Sequence, residues 1–408
     1  MDPTPRQPTR PERTPSERTP PPSPTPPPPP GPDERADLLL GGPLGRQLLG
    51  AFVSPLLEHT LFESLGLGDV PGTAFWATST SGTGRASLVR RRKRREWHQV
   101  PAAEVRGAVR AAVFEGEWHR IGELTESDAL TELASESSTF GFMGSDEAVW
   151  GLSAVAAEEL RPVATALAGS TAASRWWEPV QRADQRQLVW SGDGPELTGI
   201  EDAVRQDMAR ERAENARGLK RRPRKGERNI GAIWWSAPDF AQNTWTTGPR
   251  EDLPTIELGH FIDTFAPFGE STATVGSIAI GARARVAEIH GPLDWQDLVV
   301  RFPRDVTGTH DGEWRTWADE DGPWYLPDWE AVAEHYDGVH VTVGGYLAAC
   351  GRASPVLDGW TVLAGWVPDA TLWLHDVATA VRRLGQWHGD LGDTGDWDDV
   401  RAGWSPDR

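Results

Sequence analysis

Cysteine is almost absent from this chain, which has Cys350 alone among its 408 residues. A single thiol excludes an intramolecular disulfide, and no cysteine or histidine spacing matches a structural zinc site. A chain of this length can bury enough apolar surface to fold without cross-links. We therefore expect no metal site, and a stability that comes from packing.

Long apolar runs are also missing. No stretch of about eighteen apolar residues could span a membrane, and the N-terminal "MDPTPRQPTRPERTP" lacks the apolar core of a secretory signal. The formal net charge of −19 disfavours general attraction to nucleic acid or anionic lipid. The sequence therefore predicts a cytoplasmic protein that does not bind membranes.

Two basic segments depart from this acidic average. They are Arg90 to Arg95 and the cluster from Arg217 to Arg228. If they converge near Trp97 and Trp118, they would form a phosphate-tracking surface with stacking rings. The alternative is a pair of solvated loops neutralised by the chain's own carboxylates. Nucleic acid binding is therefore expected only through these two segments.

Tryptophan is abundant, with 21 residues against 3 tyrosines and 11 phenylalanines. Indoles serve as core residues with one donor, as interface anchors or as ligand platforms. A bias in genome composition would also enrich tryptophan, in which case the rings are simply core. We predict a binding protein that takes a protein partner or a small ligand on an indole-lined surface of its C-terminal half. The residues chosen for that surface are Trp234, Trp235, Trp245, Trp324 and His340.

The order of patterns along the chain predicts an α+β fold. Residues 1–34 hold 15 prolines and should be a disordered tail. Residues 35–228 should be rich in helices, with a β-hairpin at 72–100 and a basic linker at the end. Residues 229–386 should form a tryptophan-rich α+β domain with a mainly antiparallel sheet. The last part, 387–408, should be an acidic tail.

The stretch "PDWEAVAEHYDGVHVTVGGYL" concentrates residue types common in active sites. Asp328 is expected to cap a helix, as is Asp294 in "LDWQDLVVRF". After a turn, the chain should enter a strand in which His340 and Thr342 share one face. That face either meets solvent or lines a cleft.

One constellation resembles the mono-ADP-ribosyltransferases of the toxin type. "FWATSTSG" supplies Ser79, Thr80 and Ser81, and "FEGEW" supplies Glu115 and Glu117. The nearest upstream arginine, Arg46, lies in "GPLGRQLLG", which is predicted to be helical. The resemblance covers under a fifth of the chain. It implies a transferase that uses NAD, with Ser79, Glu115 and Glu117 as catalytic residues, and this is the alternative function.

A second resemblance covers the C-terminal half. Segments such as "IWWSAP", "VAEIHGPLDW" and "GWTVLAGWVPDATLWL" are similar to uncharacterised tryptophan-rich actinobacterial proteins. The similarity implies a shared α+β unit and does not imply an activity.

A third interpretation places Glu257, Asp263 and Glu288 beside tryptophans as the acid and base of a sugar cleft.

Overall fold

The computed structural model confirms the α+β fold. It describes residues 29–53, 88–91, 95–98, 102–116, 118–126, 128–129, 156–183, 185–190, 196–221, 233–238, 242–246, 272–318, 320–389 and 404–406. Among these residues, no helix is both long and apolar enough to cross a membrane. The expected disorder of residues 1–28 and the residues Ser79 and Glu117 lie outside the described residues.

The helices occur along the whole described chain. They are α1 (Pro32–Gly41), α2 (Pro43–Val53), α3 (Ala102–Glu115), α4 (Arg161–Ala168), α5 (Ile200–Lys220), α6 (Pro292–Arg301), α7 (Thr307–Ala318), α8 (Trp329–Ala333) and α9 (Val343–Ala349). Short 3₁₀ turns cover Trp118–Glu123, Ala157–Leu160 and Ser174–Trp177. Helix α1 packs against α4 and α9, so the N-terminal helices contact the C-terminal half directly.

The strands form one eight-stranded sheet and three small antiparallel pairs. They are β1 (Leu88–Arg91), β2 (Arg95–His98), β3 (Gln185–Trp190), β4 (Asn243–Thr246), β5 (Thr272–Ile280), β6 (Val286–Ile289), β7 (Pro303–Asp305), β8 (Tyr325–Pro327), β9 (Gly338–Val341), β10 (Ala353–Val356), β11 (Gly359–Val362), β12 (Ala370–Trp373), β13 (Ala378–Gly389) and β14 (Trp404–Pro406).

The order of the large sheet is β14-β13-β5-β3-β4-β12-β9-β6. Every neighbouring pair is antiparallel except β6 and β9. A parallel pair requires a long crossover, and here the crossover contains α6, β7, α7, β8 and α8. The sheet is therefore mainly antiparallel, as predicted.

The predicted boundary at residue 228 does not separate two cores. Strand β3 comes from the first half of the chain, yet it lies between β4 and β5 in the middle of the sheet. One cluster of buried apolar side chains extends from Ala36 to Leu374. The described residues of the two halves therefore share a core.

Three predicted segments differ from the structure. Helix α1 begins at Pro32, inside the predicted tail. The described hairpin pairs Leu88–Arg91 with Arg95–His98, so both of its strands come from the second half of the predicted 72–100 hairpin, and residues 72–87 lie outside the described residues. In the predicted acidic tail, β13 continues to Gly389 and β14 pairs with it. Helix α1 contacts α4 and α9, which are distant in sequence and which a local pattern does not reveal.

The two aspartates predicted to cap helices behave differently. Asp328 caps α8, because its side chain accepts a hydrogen bond from the Ala331 amide. The prediction for Asp294 was wrong: α6 begins one turn earlier, after Gly291, and Asp294 Oδ2 accepts from the His290 amide 2.8 Å away. Pro292 at the first helical position explains the earlier start, since its fixed φ favours a first turn.

The strand predicted to continue through Thr342 ends at Val341 instead. Thr342 is the N-cap of α9, with its hydroxyl accepting from the Gly345 amide at 2.9 Å. His340 and Thr342 therefore do not form one strand face. The capping preference of threonine and two following glycines outweigh the β propensity of the valines here.

Candidate functional sites

Three of the five residues predicted to line a binding surface are buried. Trp324 and His340 have no exposed surface, and Trp245 is almost fully covered. Trp234 and Trp235 are half-buried. The prediction of a single exposed surface formed by these side chains was therefore wrong in its geometry. Their large apolar area is used in packing, as hydrophobic burial favours.

Trp324 belongs to an aromatic cluster beneath α7. Its ring packs edge-on against Trp314 with centroids 5.5 Å apart. Its indole nitrogen donates to Asp311 Oδ1 at 3.2 Å, and its backbone amide donates to the hydroxyl of Thr307 at 2.9 Å. Both donors are satisfied inside the protein, so Trp324 is a core residue.

The segment that carries Trp234 and Trp235 is fixed along α7 by its backbone. The Trp234 carbonyl accepts from the Trp314 indole at 2.8 Å, and the Trp235 carbonyl lies 3.0 Å from His310 Nε2. Burial lowers the pKa of His310 to about 4, so this imidazole is neutral and donates the bond. The segment therefore lies against the core and is held by buried donors.

The strand register brings three charged side chains together, here named the charged row: Glu288, His340 and Asp369. In the parallel pair β6–β9, Glu288 lies opposite His340. Asp369 immediately precedes β12, which pairs with β9 on its other side. Residues opposite each other on neighbouring strands project from the same face. The row therefore connects three adjacent strands.

Both ring nitrogens of His340 contact a carboxylate. Nδ1 lies 2.6 Å from Glu288 Oε2, and Nε2 lies 3.1 Å from Asp369 Oδ1. The second oxygen of each carboxylate accepts a backbone amide, that of Val180 for Glu288 and that of Thr246 for Asp369. The side chain of Glu288 is 3% exposed, whereas that of Asp369 is 22% exposed. Only the Asp369 end of the row reaches solvent.

The charged row holds its histidine in the imidazolium form. Burial by itself lowers the pKa of His340, but the charges and hydrogen bonds of Glu288 and Asp369 outweigh it and raise the pKa to about 10. With both nitrogens donating, the ring has no lone pair for a substrate. The arrangement suits a charged cross-link between strands better than a general base, which needs a free nitrogen.

We expect the charged row to make stability fall in alkali. The pKa of His340 is raised in the folded state, so its contribution is complete below the unfolded value of about 6.5 and is lost as pH rises through about 10. In that window the folded state binds one more proton, which corresponds to about 1.4 kcal/mol per pH unit. Chemical denaturation from pH 7 to 10 measures the slope.

The reference for this slope is the double variant Glu288→Gln/His340→Gln, which lacks the titrating pair. Titration of lysines and tyrosines affects the double variant as well, and subtraction removes it. If the free energy of unfolding changed with pH equally in the wild type and in the double variant, His340 would be neutral in the folded state.

A second candidate site is apolar and exposed, and is here named the hairpin–helix patch: Leu293, Val300, Pro355 and Leu357. Leu293 is 76% exposed and Val300 45% exposed. They lie seven residues apart on α6, and so on one helix face. Pro355 and Leu357 belong to the β10–β11 hairpin, and Leu357 is 56% exposed. The amide of Gln296, on the same helix face, donates to the Pro355 carbonyl at 2.9 Å.

Leu357 has an unusual backbone conformation at the tip of this hairpin. Its φ is 51°, in the left-handed region. Glycine and asparagine are the usual residues there, because a larger side chain crowds the following carbonyl at a cost of about 1–2 kcal/mol. Sequence reasoning missed the feature, and its signal was a Leu-Asp pair where hairpins commonly have Asn-Gly.

Most residues of the alternative interpretations lie outside the described residues, among them Ser79, Thr80, Ser81 and Glu117 of the transferase resemblance. Glu115 is exposed in the last turn of α3, and Arg46 lies in α2. Glu257 and Asp263, proposed for a sugar cleft, lie outside the described residues. Glu288 contacts His340 instead. The transferase and its NAD therefore remain predictions, as does nucleic acid binding through the two basic segments.

Metal ligands do not cluster in the part of the chain that the structure describes: no three His, Cys, Asp or Glu side chains are placed to hold an ion. Comparisons with known proteins add no further guide. No family model matches the chain, and no curated protein or solved structure matches it.

Proposed function

We propose that this chain is an intracellular binding protein that docks a protein partner on the hairpin–helix patch. The observation that carries the proposal is Leu357, a large apolar residue in a left-handed conformation and largely exposed to solvent. Neither the backbone nor the core benefits from leucine at this position. A partner that buries its side chain does.

Conformational strain is commonly retained at functional positions, where it is offset by the rest of the fold. Burial of a leucine side chain in an interface contributes about 1.5–3 kcal/mol, which is as large as or larger than the cost of its backbone conformation, about 1–2 kcal/mol. The side chain also stands at a hairpin tip, where it is accessible to a partner. Leu357 is therefore placed where a partner could bury it.

Helix α6 extends the same surface. Its inward face buries Trp295, Leu298 and Val299, while Leu293 and Val300 project outward. The hydrogen bond from Gln296 to the hairpin ties the two elements together. Exposed apolar residues that occur singly need no explanation, but exposed apolar residues on two elements joined by a hydrogen bond are candidates for an interaction site. The patch therefore supports binding of an apolar surface of another protein.

We expect Leu357→Asn to stabilise the isolated chain and to weaken partner binding. Asparagine accepts the left-handed conformation, so the free energy of unfolding should rise by about 0.5–1 kcal/mol. Loss of the buried leucine should weaken affinity about tenfold or more. Urea denaturation measures the first effect, and retention of proteins from a lysate of the source cells, followed by titration of the purified partner, measures the second.

Val381→Asn is the matched control, because Val381 is 43% exposed on β13 and lies outside the patch. It should leave retention of the partner unchanged. Leu293→Asp should remove it, since a carboxylate on the helix face of the patch must be desolvated on binding. If Leu357→Asn and Leu293→Asp both retain the same proteins at wild-type levels, the patch is not the docking surface.

A further inference from the structure

Two arginines converge at the C-terminal end of α1 without a carboxylate between them. Arg46 Nη1 donates to the Leu40 carbonyl at 2.8 Å. Arg352 Nη1 lies 3.5 Å from the carbonyl of the next residue, Gly41. Arg46 comes from α2 and is mostly covered, whereas Arg352 follows α9 and is exposed. The fold thus brings two guanidinium groups from distant parts of the chain to adjacent carbonyls.

The buried member of this pair is incompletely satisfied. Arg46 Nε is shielded from solvent and has no hydrogen-bond partner. Burial, with the charge of Arg352 added, lowers the pKa of Arg46 to about 10. An unmet guanidinium donor away from water costs free energy, and a like charge nearby adds to the cost.

Several other arginines of the described chain pair with carboxylates. Arg161 pairs with Asp37 at 2.8 Å and with Glu158 at 3.0 Å. The buried Arg304 pairs with Glu211. In the described residues, neither Arg46 nor Arg352 makes such a pair, although the chain has 60 acidic residues. Among the described arginines, Arg46 is set apart by a second arginine whose charge lowers its pKa.

Capping of α1 explains only part of the arrangement. Cations near a helix C-terminus interact favourably with its last carbonyls, by about 0.3–1 kcal/mol at a surface. The two guanidinium groups contact different carbonyls, those of Leu40 and Gly41, but capping leaves Nε of Arg46 without a partner. An anion between the two cations would offset their mutual repulsion.

We infer that Arg46 and Arg352 form a binding site for a phosphate group, either inorganic phosphate or a phosphate monoester. A guanidinium presents its donors as a planar fork that matches the oxygens of phosphate. A dianion between the two groups neutralises both charges. Its oxygens can also accept hydrogen bonds from both guanidinium groups, that of the exposed Arg352 and that of the covered Arg46. The site is independent of the hairpin–helix patch and of the binding function proposed for it.

The test compares thermal unfolding of the full chain in sodium phosphate and in sodium chloride at equal ionic strength and pH 7. The wild type should unfold at a higher temperature in phosphate, because a ligand that binds the folded state stabilises it. Arg352→Gln should lose this shift and bind phosphate at least tenfold more weakly by calorimetric titration. In chloride it should unfold at the wild-type temperature or above, since the repulsion on Arg46 is removed.

Arg382→Gln, an equal change of charge at an exposed position on β13, should keep the full phosphate shift. Arg46→Lys retains the charge but not the fork, and should weaken phosphate binding without abolishing the fold. Equal phosphate shifts in wild type and Arg352→Gln would overturn the site. So would an equal response of the wild type to acetate, which would show a general carboxylate preference.

Discussion

Replacing His340 by glutamine is expected to lower the free energy of unfolding by about 3–5 kcal/mol, as for other buried ion pairs that lose one partner. The cost arises mainly from Glu288, whose buried carboxylate then keeps only the amide of Val180 as a close donor. Asp369 is affected less, because it reaches solvent and accepts the Thr246 amide. Urea denaturation at pH 7 measures the loss.

Further variants separate the charge from the packing. In Glu288→Gln/His340→Gln both buried charges are removed, so part of the stability should return. Asp369→Asn should cost less than His340→Gln, because a more exposed charge is easier to compensate. If the double variant were as unstable as the sum of its single variants, the charged row would not act as a unit.

Trp324→Ala is expected to cost about 3–5 kcal/mol, the usual range for loss of a large aromatic side chain from a core. The substitution leaves a void beside Trp314 and removes the indole donor from Asp311. Trp324→Phe should cost less, since one aromatic ring remains, although the hydrogen bond is lost and the smaller ring leaves part of the void. Denaturant unfolding of the three proteins at one pH gives the comparison.

Trp360→Ala serves as the reference, because Trp360 is only half-buried in β11. Its loss should be clearly smaller than that of Trp324. If the two alanine variants lost similar free energies of unfolding, Trp324 would not be packed as the structure shows. Trp324 would then again be a candidate for an accessible binding surface.

The sequence was sufficient for features that depend on local spacing. The α+β class is confirmed, and α5 (Ile200–Lys220) lies in the region 35–228 that was expected to be rich in helices. Its thin apolar line of Ile200, Val204 and Met208 is buried as a helical face requires. The Asp328 cap is confirmed as well. Periodicity and capping are encoded within a few residues, and so they can be read directly.

The charged row could not be predicted because it depends on strand pairing. The sequence places Glu288 in a candidate sugar cleft and His340 on a candidate binding surface. The two residues are 52 positions apart. The sequence predicts no role for Asp369, because Asp369 reaches His340 only when β12 pairs with β9. The local sequence around a polar residue in a short strand does not identify the residue that lies opposite it on the neighbouring strand. The number of tryptophans likewise does not predict which of them are exposed, because indole side chains occur in cores and in interfaces alike.

The placement of β3 has a consequence for how the chain reaches its native state during synthesis. Residues 185–190 leave the ribosome well before β4, β5 and β12, yet they fill the centre of the sheet that those strands form. Until the later strands arrive, both edges of β3 lack their partners, and contacts of large sequence separation must close before the sheet is complete. Folding should therefore be slow and largely delayed until synthesis nears its end. In that interval the unpaired strand is open to association with other chains.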